Sequence, residues 1–226
     1  MARNYYSELT SVLKGQYRKR LMPLFRTEEE VLFLRDWLEK DQVPFRMEPV
    51  AGKNYSRSSD ELRSLVESCA LCGATEERKY GYGDGSSRVM IILNSPRLIS
   101  QVEIRLYRRE SVEMIRKMVE AMNLAPARCY ITNLVKCESS DRLVSPGQMM
   151  QNCLSVIRKE MAIINPGIII VMGEIQPLQK IVHGSSGIFW YTIEHPVTLL
   201  KNTELKRTAW ATLKNVMGKI QELGLS

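Results

Sequence analysis

Four of the five cysteines in this chain fall into two pairs whose thiolates could hold a metal. Cys69 and Cys72 form a C-x-x-C. Cys137 closes the segment Tyr130-Ile131-Thr132-Asn133-Leu134-Val135-Lys136-Cys137, and Cys153 follows after fifteen further residues. Four thiolates divided two and two match a tetrahedral zinc ion or an iron–sulfur cluster. The second pair lacks the short interval of a zinc knuckle, so spacing does not choose between them. A C-x-x-C alone could equally be a redox pair, or two thiols packed as small hydrophobes. The polar stretch Thr132-Asn133-x-x-Lys136 runs directly into Cys137, so a metal there would brace a site on the adjoining chain. Cys129 opens an apolar strand and reads as structural.

The elements that must position these groups are legible from periodicity. Two amphipathic helices are expected between about residues 5 and 40, with Thr27 capping the second ahead of three glutamates. A linker-like stretch, 51–58, separates them from a short helix that starts at Ser59 or Asp60 and runs into Cys69. We therefore expect a helical N-terminal extension over 1–55 and a main domain over 56–226. Within the latter, runs at 88–94, 129–135, 168–172 and 189–193 read as strands, the first suited to cover on both faces. Helices are expected over 110–122, from Ser145-Pro146 to Ile164, from Gly173 to about Val182, and over 204–223, the second by the N-cap-plus-proline rule. Strands alternating with helices predict a three-layer α/β/α fold around a four-stranded, mainly parallel sheet. Ligands of such sheets bind beyond the carboxyl ends of the strands. That rule gathers Asn94-Ser95-Pro96, Asn133 to Lys136 and Glu194-His195-Pro196 on one rim.

The 226 residues suit one core domain with an appendage, and a hydrophobic fraction of 44% is that of a folded chain. No apolar run is long enough to cross a bilayer, so no membrane partner is expected. The first residues lack the apolar core of a signal peptide, and the cysteine count is odd, so a reducing cytoplasm is expected. The formal charge of +7 favours a polyanionic partner. Arg105, Arg108 and Arg109 surround Tyr107, and a basic patch around an aromatic suits nucleic acid.

Taken together, these motifs resemble the iron–sulfur (family 4) uracil-DNA glycosylases over roughly residues 59–217. The Tyr-Ile-Thr-Asn-x-x-Lys-Cys stretch is Tyr130 to Cys137. The His-Pro motif is His195-Pro196, with Val197-Thr198-Leu199-Leu200 after it. The four cluster ligands correspond in order to Cys69, Cys72, Cys137 and Cys153, and Tyr80-Gly81-Tyr82-Gly83-Asp84 matches the lead-in to the first strand. The resemblance implies excision of a base flipped out of DNA. It gives Asn133 the reading of uracil, because an amide can donate to O4 and accept from N3–H where cytosine presents the reverse. His195 would stabilise the anionic leaving base. Tyr107 falls where the family stacks a phenylalanine, and Arg105, Arg108, Arg109 and Lys136 would face DNA. A 4Fe–4S cluster is the implied cofactor and a monomer the expected state. The helical extension could dock another repair or replication protein, or pack on the core.

The chain departs from the family after its first strand. Leu93-Asn94-Ser95-Pro96-Arg97 stands where the pattern is Gly-Glu-Ala-Pro-Gly, so only Pro96 is kept. Asn94 replaces the water-positioning glutamate; it cannot take a proton, although its carbonyl oxygen can hold a water. The loss of both glycines removes the space for close backbone approach. Two outcomes follow: excision of uracil or another damaged base with Asn94 placing water, or a DNA-binding relative without excision.

Overall fold

The computed structural model describes residues 55–73, 75–94, 101–139 and 144–225, all within one compact unit spanning Val50–Ser226. The two helices expected before residue 40 lie outside the described residues. In chain order the elements are α1 (Tyr55–Glu67), β1 (Thr75–Arg78), β2 (Val89–Asn94), α2 (Gln101–Leu106), α3 (Arg108–Ala121), β3 (Tyr130–Asn133), β4 (Cys137–Ser139), α4 (Pro146–Ile164), β5 (Ile168–Gly173), α5 (Gln179–Gly184), β6 (Phe189–Ile193), α6 (Pro196–Lys201) and α7 (Leu205–Glu222). Short 3-10 turns precede β3 and α5.

Strands β3, β2, β5 and β6 form, in that order, an all-parallel sheet. Its central strands, β2 and β5, are apolar up to their last residues because both faces are covered. Val89, Ile91, Ile168 and Ile170 pack against Ile115 and Val119 of α3, Leu199 of α6 and Leu213 and Val216 of α7. Met90, Ile92, Ile169 and Val171 face the other way, against Leu62 of α1, Leu154, Ile157 and Met161 of α4, and Ile181 of α5. The expected three-layer α/β/α architecture is the one observed. Ser145 caps α4 by accepting from the Gln148 N–H, with Pro146 at the first helical position, as the Ser-Pro pair predicts.

Several elements differ from expectation. Helix α1 begins at Tyr55, within the stretch read as linker, because Leu62 and Val66 bury against the core and stabilise a helix whose polar start has weak propensity. β1 and β4 form a separate two-stranded antiparallel ribbon that periodicity did not reveal. Helices α2 and α6 have six residues each, too short for a repeating apolar stripe. Among the described residues no helix is long and apolar enough to cross a membrane.

The helix after β2 covers one face of the sheet and the helix after β5 covers the other. The crevice between these neighbouring strands is thus the topological switch point, where open parallel sheets bind ligands. Asn94 and Gly173 end β2 and β5 there, paired in register. Gly173 has φ +120°, and a Cβ on it would stand 1.9 Å from the Asn94 carbonyl oxygen. Only glycine permits that approach. Gly173→Ala is expected to cost on the order of 3 kcal/mol, through backbone strain and displacement of Asn94. Urea denaturation measures it; an unchanged midpoint would show that the strand ends can part freely.

Candidate active site at the carboxyl edge of the sheet

Helix α6 starts at the end of β6, with His195 as its N-cap residue. The imidazole Nδ1 accepts the Val197 N–H at 3.3 Å, so the ring carries its proton on Nε2. The residue is 5% exposed, and burial pulls its pKa from 6.5 down to about 4. His195 is therefore neutral near pH 7, with a fixed Nε2–H donor. That donor has no hydrogen-bond partner among the described residues.

This burial makes stability depend on pH with a definite sign. The unfolded histidine binds a proton near 6.5 and the folded one only near 4, so the stabilisation is complete above 6.5 and is lost as pH falls towards 4. The shift corresponds to about 3 kcal/mol. Melting temperatures between pH 4 and 7 are expected to fall more steeply for the native chain than for His195→Asn, whose amide keeps the cap without titrating. Parallel curves would remove this account.

Asn94 ends β2 almost wholly buried, and its Nδ2 donates to the Glu174 backbone carbonyl at 2.6 Å. A carbonyl neighbour can only accept, so the amide orientation is set and Oδ1 points its lone pairs elsewhere. Asn133 ends β3 half-buried, with Leu93 as its register partner, and its amide has no hydrogen-bond partner among the described residues. Asn94, Asn133 and His195 thus lie at the ends of three of the four parallel strands. β3 and β6 are three inter-strand steps apart, roughly 14 Å between chain paths, and an inward-reaching amide and imidazole would leave a gap on the scale of one pyrimidine ring. Ser95 and Pro96 lie outside the described residues.

Tyr107 is half-buried at the junction of α2 and α3 and lies within electrostatic reach of Lys201 on α6. Lys201 also pairs with Glu103 of α2 at 2.7 Å, which holds the α2–α3 corner beside the helix that His195 caps. Arg105, Arg108 and Arg109 are exposed on this corner. Arg108 lies 3.9 Å from Glu77, a contact too exposed to stabilise much.

Lys136 corrects the expectation of a DNA-facing cation. Its side chain is 2% exposed, and its ammonium donates to Glu160 Oε2 and Thr132 Oγ1, each at 2.6 Å. Burial pushes the ammonium below its ordinary pKa, and the Glu160 carboxylate opposes that shift. Glu160, which sequence reasoning missed, is itself completely buried on α4. Its signal was available: the apolar stripe of α4 runs through Cys153, Ile157 and Ile164, and Glu160 is the charged residue on that stripe.

The cysteines come together from three segments. Arg78 of β1 donates to the carbonyls of Val66 and Cys69, and it is the register partner of Cys137 on β4. Asn152 of α4 donates to the Leu71 carbonyl at 3.0 Å and Cys72 Sγ at 3.4 Å. The Lys136 N–H donates to Cys153 Sγ at 3.4 Å. Burial pushes the Cys137 thiol up to about 11, with further contributions from Cys153, Cys72 and Cys69. All four are free thiols, and the other three lie within electrostatic reach of Cys137. No group of three or more ligand side chains closes into a metal-holding arrangement among the described residues. The donor set matches a thiolate-bound centre in type and number of sulfurs, not in a closed arrangement. Cys129 stands apart, fully buried, with Ser87 Oγ donating to its sulfur at 3.6 Å.

At the carboxyl edge of the sheet, Asn94 thus stands at the switch point between the Asn133 amide, unpartnered among the described residues, and the neutral His195 donor. The description "Uracil DNA glycosylase superfamily" matches residues 80–214, from the lead-in to β2 through most of α7, and the chain belongs to that superfamily.

Proposed function

We propose that this protein is a DNA base-excision glycosylase of the iron–sulfur type, hydrolysing the N-glycosidic bond of uracil or a related deaminated or damaged base. The observation that carries the reading is His195: a buried, neutral imidazole whose Nε2–H has no partner among the described residues, on the rim that also bears Asn133. As the glycosidic bond breaks, its electron pair leaves with the base and spreads onto O2. A preorganised neutral donor stabilises that charge without first giving up a proton of its own. The Asn133 amide donates to O4 and accepts from N3–H of uracil, a pattern that cytosine inverts. Asn94 Oδ1 accepts from the water that attacks the sugar carbon. Because that carbon is cationic in character, orienting the water substitutes for a strong base; the proton that the water sheds as the C–O bond forms passes to the departing base anion or to bulk solvent. Tyr107 stacks on the extruded base, and Arg105, Arg108 and Arg109 meet the phosphates.

Cys69, Cys72, Cys137 and Cys153 are the residues that would hold the 4Fe–4S cluster. Its contribution is structural: it would hold the C-x-x-C turn, the β1–β4 ribbon and α4 together next to Asn133. A single-turnover assay on oligonucleotides carrying uracil, hypoxanthine or xanthine, in single strands and opposite each base, tests the proposal. Abasic product from the native protein supports it. A second reading, a DNA-binding relative without excision, is favoured by one observation: Asn94 stands in the water-placing position with its amide held by Glu174, and it cannot accept a proton. Tight binding of these oligonucleotides with no abasic product would select that reading.

A further inference from the structure

We infer that the buried Lys136–Glu160 pair is a positioning device. It fixes the register of the strand end that presents Asn133 and ties that strand end to the helix that carries Cys153. The inference deepens the proposed function, since it rests on Asn133 as the base-reading residue.

The network has four members and every one is used. Glu160 Oε2 takes the Lys136 ammonium at 2.6 Å, and Oε1 takes the Tyr130 hydroxyl at 2.8 Å and the Thr132 hydroxyl at 3.3 Å. Thr132 Oγ1 also accepts from Lys136 at 2.6 Å. A buried ion pair is poor value as a source of stability, because apolar residues of similar volume usually do as well or better. Its best-attested use is to select one arrangement over close alternatives. Here the alternatives are concrete. Tyr130 and Thr132 occupy alternate positions of β3 and turn towards α4, which sends Ile131 and Asn133 to the opposite face. A slip of one residue would exchange the two sets and turn Asn133 towards α4. An apolar strand end of four residues would resist such a slip weakly. One carboxylate that requires both hydroxyls on its own side resists it strongly.

The same two residues also reach the cysteine site. Lys136 precedes Cys137 directly, and its N–H donates to Cys153 Sγ. Glu160 lies seven residues, about two turns, beyond Cys153 on the same stripe of α4. A shift of α4 caused by disorder at the cysteines would therefore move the carboxylate that holds β3.

The test uses the full chain with Lys136→Met and Glu160→Met combined, which fills the same space without charge. A companion, Tyr130→Phe with Thr132→Val, removes only the hydroxyl anchors. Three properties are read: melting temperature with metal content, the Asn133 side-chain amide signals in a ¹H–¹⁵N spectrum, and single-turnover excision with DNA affinity. We expect the methionine pair to retain its melting temperature and metal. Its Asn133 signals are expected to shift or broaden, and excision to fall roughly 10²-fold through misplacement of the reading amide, with DNA affinity unchanged. A purely structural pair would move melting temperature alone. Native Asn133 signals and native excision in the methionine pair overturn the inference. If the methionine pair does not fold, the hydroxyl-deleted companion decides by the same readouts. If the native protein excises no base, the proposed function fails, and the Asn133 signals decide the positioning role by themselves.

Discussion

Replacing His195 by alanine is expected to lower the single-turnover excision rate by on the order of 10²–10³, the usual effect of deleting one preorganised donor to a developing anion. DNA affinity is expected to change little, because the donor acts on charge that appears only as the bond breaks. The alanine variant alone is ambiguous. His195 also caps α6 through Nδ1, and losing a cap costs about 1 kcal/mol of helix stability. His195→Asn separates the two roles: its side-chain oxygen can still accept the Val197 N–H, but it lacks the imidazole's far nitrogen. The asparagine variant should melt near the native temperature above pH 6.5 and still lose most of the rate. Equal loss of rate in both variants identifies the Nε2 donor as the cause. Full activity in the asparagine variant would falsify the assignment of His195 to the leaving base. A low pKa sharpens this: at about 4, His195 stays neutral across the range in which the excision assay is run.

How much of this was legible from residues alone follows from which interactions are local. β2 and β5 announce themselves, because Val-Met-Ile-Ile-Leu and Ile-Ile-Ile-Val-Met suit a doubly covered strand. Ser145-Pro146 marks the start of α4 because capping chemistry is contained in adjacent residues. The rim positions of Asn94, Asn133 and His195 follow from strand ends once the sheet is parallel. The misses are non-local. β1 reads Thr-Glu-Glu-Arg, without alternation, and exists because it pairs with β4 some sixty residues on. Lys136 looked like a surface cation since lysine is almost never buried unpaired. Its partner is Glu160, and nothing near Lys136 in sequence reveals it; the signal sits on the apolar stripe of another helix. The low pKa of His195 was equally hidden, because it comes from burial beneath residues of other elements. Motif spacing thus placed the candidate residues on one rim, while their protonation states required the packing.

Cys137→Ser is expected to be the most damaging single change to the fold. If the four cysteines hold a cluster, losing one ligand removes binding free energy that is also folding free energy. A loss of about 4 kcal/mol would lower Tm by roughly 10 °C in a domain of this size. Cys137 is more than a ligand candidate: it is the β4 residue paired with Arg78, and it directly follows Lys136. Disturbance there reaches the C-x-x-C turn through Arg78 and the Cys69 carbonyl, and β3 through Lys136 and Thr132. Cys129→Ser is the control. Cys129 is as deeply buried, but it is outside the four-cysteine set and bonded only to Ser87 within the described residues. Its serine variant should lose some stability and keep its metal. The measurements are iron, acid-labile sulfide and zinc content alongside thermal melts for both variants and the native protein. Iron and sulfide present in the native and Cys129→Ser proteins and absent from Cys137→Ser would establish the cluster and its ligand. Zinc in their place would keep the brace and change its chemistry. A native protein without metal, or a Cys137→Ser variant that melts with the native one, would mean that the polar bonds of Arg78, Asn152 and Lys136 hold these segments together unaided.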